Sequence, residues 1–438
     1  MNKIFYIVLL IILGSCQNNK TKENLKANDN LTIEEKSIVQ TFSDVDSLLK
    51  IDDGRFWGKG LYGPVIFVEP KTRLFYSNEN NSANEFEKIG AIYKDSLPAD
   101  INIANTAINW YGKRWSMVML PLPKDQISRN NLIIHELFHR LQPQIGFENL
   151  QEIDNGHLDT YDGRLLLKLE LQALEKALST NDSIEILEHI QNALTFRNKR
   201  YKSTDIKNAE NSLELNEGLA EYTAIMLSAR NADEMKTHFS KSKTNFYTNP
   251  TFVRSFAYQT IPYYGYLLSS KKSNWHREIN SETNLTDYFI KTFNVEIINR
   301  QSVENIAKEF DYNFQQIQKE ETQREKLRIE KIAILKSQFL EKPTLELQFQ
   351  NMNISFDPRN IIPLENIGTV YPNLRVTDNW GILTVEKGAL LASDWSKVTV
   401  TAPTEISDKI VNGDGWKLEL NPEWKVQKNG NEFTLGKK

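Results

Sequence analysis

Two histidines four residues apart, with a glutamate directly after the first, stand in the stretch Asn131-Leu132-Ile133-Ile134-His135-Glu136-Leu137-Phe138-His139-Arg140. On an α-helix, positions i and i+4 share a face, so His135 and His139 present two imidazoles to one ion. Glu136 then sits beside an open coordination position, where a carboxylate takes a proton from a metal-activated water. With 6 His and 57 acidic residues in 438 positions, an H-[DE]-x-x-H pattern arises by chance about 0.01 times in such a chain. The alternative is an amphipathic helix carrying two unrelated histidines, and a third ligand decides between them.

That ligand is sought in a second apolar-periodic stretch, Glu214-Leu215-Asn216-Glu217-Gly218-Leu219-Ala220-Glu221-Tyr222, which places Glu217 and Glu221 one turn apart on one face. If Glu217 closes the set, the donors are two imidazoles and one carboxylate on a single zinc ion. Glu221 is then placed to accept the outer ring N–H of a ligating histidine and fix its tautomer. His157, Asp159, Glu170 and Glu175 are competing third ligands. For Glu170 the simpler reading is a solvated helix position, and His157 and Asp159 fit a helix cap or a cleft border.

The pair of motifs, His135-Glu136-x-x-His139 and Asn216-Glu217-Gly218-x-Ala220, resembles the gluzincin metallopeptidases, the group that holds thermolysin, aminopeptidase N and leukotriene hydrolase. The resemblance implies that Glu217 is the third zinc ligand and Glu136 the general base, and that Glu221 orients a ligating histidine. Ala257-Tyr258-Gln259-Thr260-Ile261-Pro262-Tyr263 is similar to a segment of the leukotriene hydrolase branch whose final tyrosine hydrogen-bonds a developing oxyanion. Tyr258 and Tyr263 are both candidates for that role, with aromatic packing as the alternative. The G-x-M-E-N signature of aminopeptidases is absent, and Trp115-Ser116-Met117-Val118-Met119-Leu120-Pro121 stands upstream instead.

The elements that must position these residues follow from periodicity. Ser128 or Asn130 caps the histidine helix and Pro143 ends it. The gap between His139 and Glu217 is longer than is usual in that group. It carries two helical patterns, Tyr161 to Leu178 and Ser183 to Lys199, which form an inserted hairpin. Upstream, Leu31 to Ile51 is helical. Leu61 to Val68, Arg73 to Tyr76, Ile101 to Ala107 and Arg114 to Leu120 form a small sheet, and the resemblance implies that Arg114 to Leu120 is an edge strand to which peptide substrate adds. Ser302 to Phe314 and Gln315 to Ile334 are helical, the latter polar enough to read as a solvated surface connector.

From Lys342-Pro343 the texture changes. Thr344 to Phe349 alternates strictly, and Asn429-Gly430 between Trp424 to Val426 and Phe433 to Leu435 signals a hairpin. The expected class is α+β: a gluzincin-like domain over residues 31–341, with a small sheet and helix over 31–128 and a helical lobe over 129–341, then a separate all-β sandwich or barrel over 342–438. Trp380, Trp395, Trp416 and Trp424 are either core aromatics or a glycan-binding face.

At the other end, Lys3, an apolar run from Ile4 to Leu13 and then Gly14-Ser15-Cys16 read as a secretory signal over residues 1–16. Its ending resembles a bacterial lipobox, which implies that Cys16 becomes the acylated N-terminus. Cys16 is also the only cysteine, which excludes an intramolecular disulfide. Residues 17–30 read as a polar tether. A net charge of -4 argues against a nucleic-acid partner. These features lead to the expectation of a lipid-anchored zinc peptidase of the bacterial envelope acting on peptide or protein. The alternatives are an amide or ester hydrolase built on the same machinery and a non-catalytic peptide- or glycan-binding lipoprotein.

Overall fold

The computed structural model describes residues 31–438 apart from 152, 358, 359, 365 and 431, with only the backbone of Asn429 and Glu432. Cys16, the signal and the tether lie outside the described residues. Among the described residues, no helix is long and apolar enough to cross a membrane. The protein is α+β and divides into two compact units, one running to Ile145 with Leu227–Ala229 added, the other comprising Gly146–Met226 and Arg230–Lys438.

The first unit begins with α1 (Ile33–Asp52), whose Thr32 and Glu35 form a reciprocal capping box. Its sheet contains β1 (Val65–Val68), β2 (Leu74–Ser77), β3 (Glu87–Ile89), β4 (Ile92–Ser96), β5 (Thr106–Trp110) and β6 (Lys113–Met119), in the order β3-β4-β2-β1-β6-β5. Strand β6 is therefore interior, parallel to β1 and antiparallel to β5. This corrects the expected edge role of Arg114 to Leu120: the hairpin at Tyr111 and Gly112, both at positive φ, folds β5 over that flank. Strands β3 and β4 were not legible, because they are short and half-exposed, with no clear apolar alternation.

Helix α2 (Gln126–Leu141) carries the histidine motif. Asp125, rather than Ser128 or Asn130, caps it, accepting the Ser128 N–H at 2.8 Å. Ile133, Ile134, Leu137 and Phe138 are buried. Ser116 on β6 donates to the Glu136 carbonyl at 3.0 Å and ties strand to helix.

In the second unit, α3 (Tyr161–Ser179) and α4 (Ser183–Arg200) form the expected hairpin. They are followed by α5 (Thr204–Leu213), a wide turn over Glu214–Gly218, α6 (Leu219–Leu227), α7 (Ala232–Tyr247), α8 (Ala257–Lys271), α9 (Leu285–Phe293), α10 (Val303–Glu309) and α11 (Phe314–Lys336). The polar α11 is not simply a solvated face. Its Glu321 is buried against α3, accepting from Arg164 Nε at 2.5 Å and pairing with Lys168 Nζ at 2.6 Å. Composition could not show this, because a buried ion pair looks like surface charge in a sequence.

The chain ends in an all-β region, β7 (Thr344–Gln348) to β19 (Glu432–Lys437), built of a seven-stranded and a six-stranded sheet. Leu345, Leu347, Val398 and Val400 of one sheet share a core with Val376, Leu383, Trp416 and Leu418 of the other, as alternating strands in a sandwich require. Trp380, Trp416 and Trp424 belong to this core, whereas Trp395 is 43% exposed.

Candidate metal centre

On α2, the i, i+4 spacing brings the two Nε2 atoms of His135 and His139 to 3.1 Å from each other. His139 Nδ1 lies 2.9 Å from Gln142 Oε1. An amide oxygen can only accept, so it holds the proton on Nδ1 and leaves Nε2 as a bare donor. Arg114 Nε donates to the His139 carbonyl at 3.3 Å, bracing the same turn from β6. Glu136 is buried, with 4% of its surface exposed. Gln142 escaped the sequence reading, although its position three residues after His139 at the helix end is the signal that would have found it.

The second stretch is shaped by its wide turn. The Leu219 N–H bonds to the Glu214 carbonyl five residues back, so this is a π-turn, a feature found often at functional sites. The Glu214 and Glu217 carboxylates on this turn take different partners. Glu214 faces inward to Arg197, whose Nη1 and Nη2 donate to it at 3.0 and 2.6 Å, and receives the Thr260 hydroxyl at 2.5 Å. Glu217 receives the Tyr258 hydroxyl at 2.5 Å, and Arg254 Nη2 stands 3.6 Å from its other oxygen. Gly218 permits this placement: a Cβ there would lie 2.6 Å from Ile261 Cγ1 and 3.1 Å from the Ala257 carbonyl oxygen, so α8 approaches closely only because the side chain is missing. Glu221 follows one turn later on α6 and is half-buried.

The ligand atoms of His135, His139 and Glu217 all lie within 4.8 Å of one another. Two imidazole nitrogens and one carboxylate oxygen are donor types that zinc takes. The group can hold a metal ion. Comparison with family models, curated proteins and solved structures finds no match.

The competing ligands are committed elsewhere. Glu170 is not a solvated helix position. It is fully buried and receives Arg197 Nε at 2.6 Å, Arg200 Nη1 at 2.8 Å and the Tyr264 hydroxyl at 3.0 Å. His157 Nε2 lies 2.7 Å from Glu210 Oε1. Burial by itself would raise the Glu210 carboxyl, but the charge and hydrogen bonds of Arg200, together with His157, hold it down at about 2. Burial dominates at Glu214 and raises its carboxyl despite Arg197. Asp159 caps neither neighbouring helix. It accepts the Phe252 N–H at 2.9 Å and the Thr251 hydroxyl, while Glu175 pairs with Lys243. Of the two tyrosines, Tyr258 reaches Glu217. Tyr263 is fully buried, donates to the Phe239 carbonyl at 3.0 Å and has its phenol pKa raised by that burial, so aromatic packing describes it.

Proposed function

We propose that this chain is a zinc-dependent metallopeptidase of gluzincin type, tethered to the bacterial envelope by an acyl chain on Cys16 and acting on peptide or protein. The convergence of His135, His139 and Glu217 within 4.8 Å carries this reading, because two imidazoles and one carboxylate form the donor set of a catalytic zinc site with a vacant corner. A zinc ion held there supplies Lewis-acid polarisation of a carbonyl and a water acidic enough to be deprotonated near neutral pH. Glu136, next to His135 on α2, would act as general base towards a water at that site and as general acid towards the leaving amine. Gln142 keeps the His139 tautomer that ligation needs, and Tyr258 offers its phenol O–H beside the third ligand. Glu221 is the candidate to orient a histidine.

Two measurements test the reading. Metal analysis of the purified protein and its Glu217→Ala variant is expected to show about one zinc per wild-type chain and loss in the variant. A peptide-library digest is expected to show cleavage by the wild type and about 10²-fold or greater loss in Glu136→Gln. Zinc retained after Glu217→Ala would overturn the ligand set, and no cleavage by either protein would favour a peptide-binding lipoprotein instead.

A further inference from the structure

Arg254 is neither a proposed metal ligand nor the proposed general base, yet it occupies a built position. The turn that carries it, residues 251–256, is held by the buried Asp159, which receives the Phe252 N–H at 2.9 Å and the Thr251 hydroxyl. Phe252 stacks on Phe246 at 4.3 Å and lies under the Arg324 guanidinium at 4.5 Å. Arg324 also donates to the Asn249 and Pro250 carbonyls at 2.7 and 2.9 Å. The Phe256 N–H bonds back to the Phe252 carbonyl, so the turn runs into α8, and Arg254 and Tyr258 stand four residues apart on the two oxygens of Glu217. The Arg254 side chain keeps 26% of its surface open.

A guanidinium fixed beside a metal ligand places two positive charges next to each other once the ion is bound. Such a pair attracts an anion that touches both, and the planar fork of arginine suits a carboxylate. We infer that Arg254 is the specificity residue of the site, recognising substrates that carry a carboxylate close to the scissile carbonyl. This inference rests on the metallopeptidase reading above. Either a free chain end or an acidic side chain supplies that chemistry.

The full chain loaded with zinc is titrated by calorimetry with two hydroxamates, the monohydroxamate of succinic acid and its neutral amide counterpart. The wild type is expected to prefer the charged probe by on the order of 10- to 100-fold, the worth of one charge-assisted hydrogen-bonded pair. Arg254→Gln is expected to keep its zinc and lose that preference, and Arg254→Lys to retain part of it. Equal affinity for the two probes in the wild type, or a preference that survives Arg254→Gln, would overturn the inference. So would zinc lost from Arg254→Gln, which would make Arg254 a support for Glu217 alone. Failure of the wild type to hold zinc is read before any probe is added, and it removes the metallopeptidase reading itself. Paired peptides with free or amidated C-termini, and with acidic or amide side chains, then identify the carboxylate; cleavage indifferent to both changes also overturns the inference.

Discussion

Replacing Arg197 with methionine tests how the turn over Glu214–Gly218 is held. The guanidinium makes three short bonds to two buried carboxylates, one to Glu170 at 2.6 Å and two to Glu214 at 3.0 and 2.6 Å. After the substitution Glu170 keeps Arg200 and Tyr264, whereas Glu214 keeps the Thr260 hydroxyl. The loss therefore falls mainly on Glu214. Removing one partner of a buried pair costs about 3–5 kcal/mol, much of it from stranding the other charge. Glu214→Gln removes the charge that would be stranded, so the double variant should lose less than the two single losses together, by about 2 kcal/mol. Urea unfolding of the four proteins, followed by far-UV circular dichroism and by hydrogen exchange of the amides in α4 and α5, measures the coupling. Additivity within about 0.5 kcal/mol would show that Arg197 and Glu214 act independently and would refute the reasoning.

Other consequences are open to measurement. Gln142→Ala should weaken zinc affinity about 10- to 100-fold in chelator competition, while Gln142→Glu, which still accepts from Nδ1, should bind nearly as tightly as wild type. Gly218→Ala should destabilise the second unit by about 1–3 kcal/mol in thermal unfolding, because Ile261 and the Ala257 carbonyl leave no room for a methyl group. The Glu210 carboxyl titrates at about 2 in the folded protein, below its ordinary 4.5. Its contribution to stability, on the order of 3 kcal/mol, is present above about pH 4.5 and is lost as pH falls towards 2. Glu210→Gln should accordingly flatten the acid limb of a stability-against-pH curve. Cys16→Ser should leave the protein out of the membrane fraction on cell fractionation.

Regular spacing made the helices and the candidate metal-binding residues legible. The two imidazoles at i, i+4 and the apolar stripes of α3 and α4 appear in the sequence as intervals, and the structure places them within a residue or two of the expected bounds. Charge gave a poorer guide. Glu170, Glu210, Glu214, Arg197 and Arg200 are all buried, yet nothing local distinguishes them from solvated residues, since their partners come from distant turns of different helices. The same blindness hid the docking of Glu321 on Arg164. Strand order was equally hidden: β6 reads the same whether it lies at an edge or inside, and only the following of β5 back along it decides. Tyr258 and Tyr263 could not be separated by sequence because their difference is one of direction, towards Glu217 or towards the Phe239 carbonyl.

Strand β19 lies parallel to β7, pairing Phe433 with Leu345 and Thr434 with Glu346, although the rest of that sheet is antiparallel. The first strand of the β region thus waits for the last one to be synthesised before its flank is covered. During translation β7 can find β14 early but must keep its other side open, and an open strand edge is a template for wrong pairing. Chains lacking the β18–β19 hairpin should therefore expose this flank of β7 and associate through it.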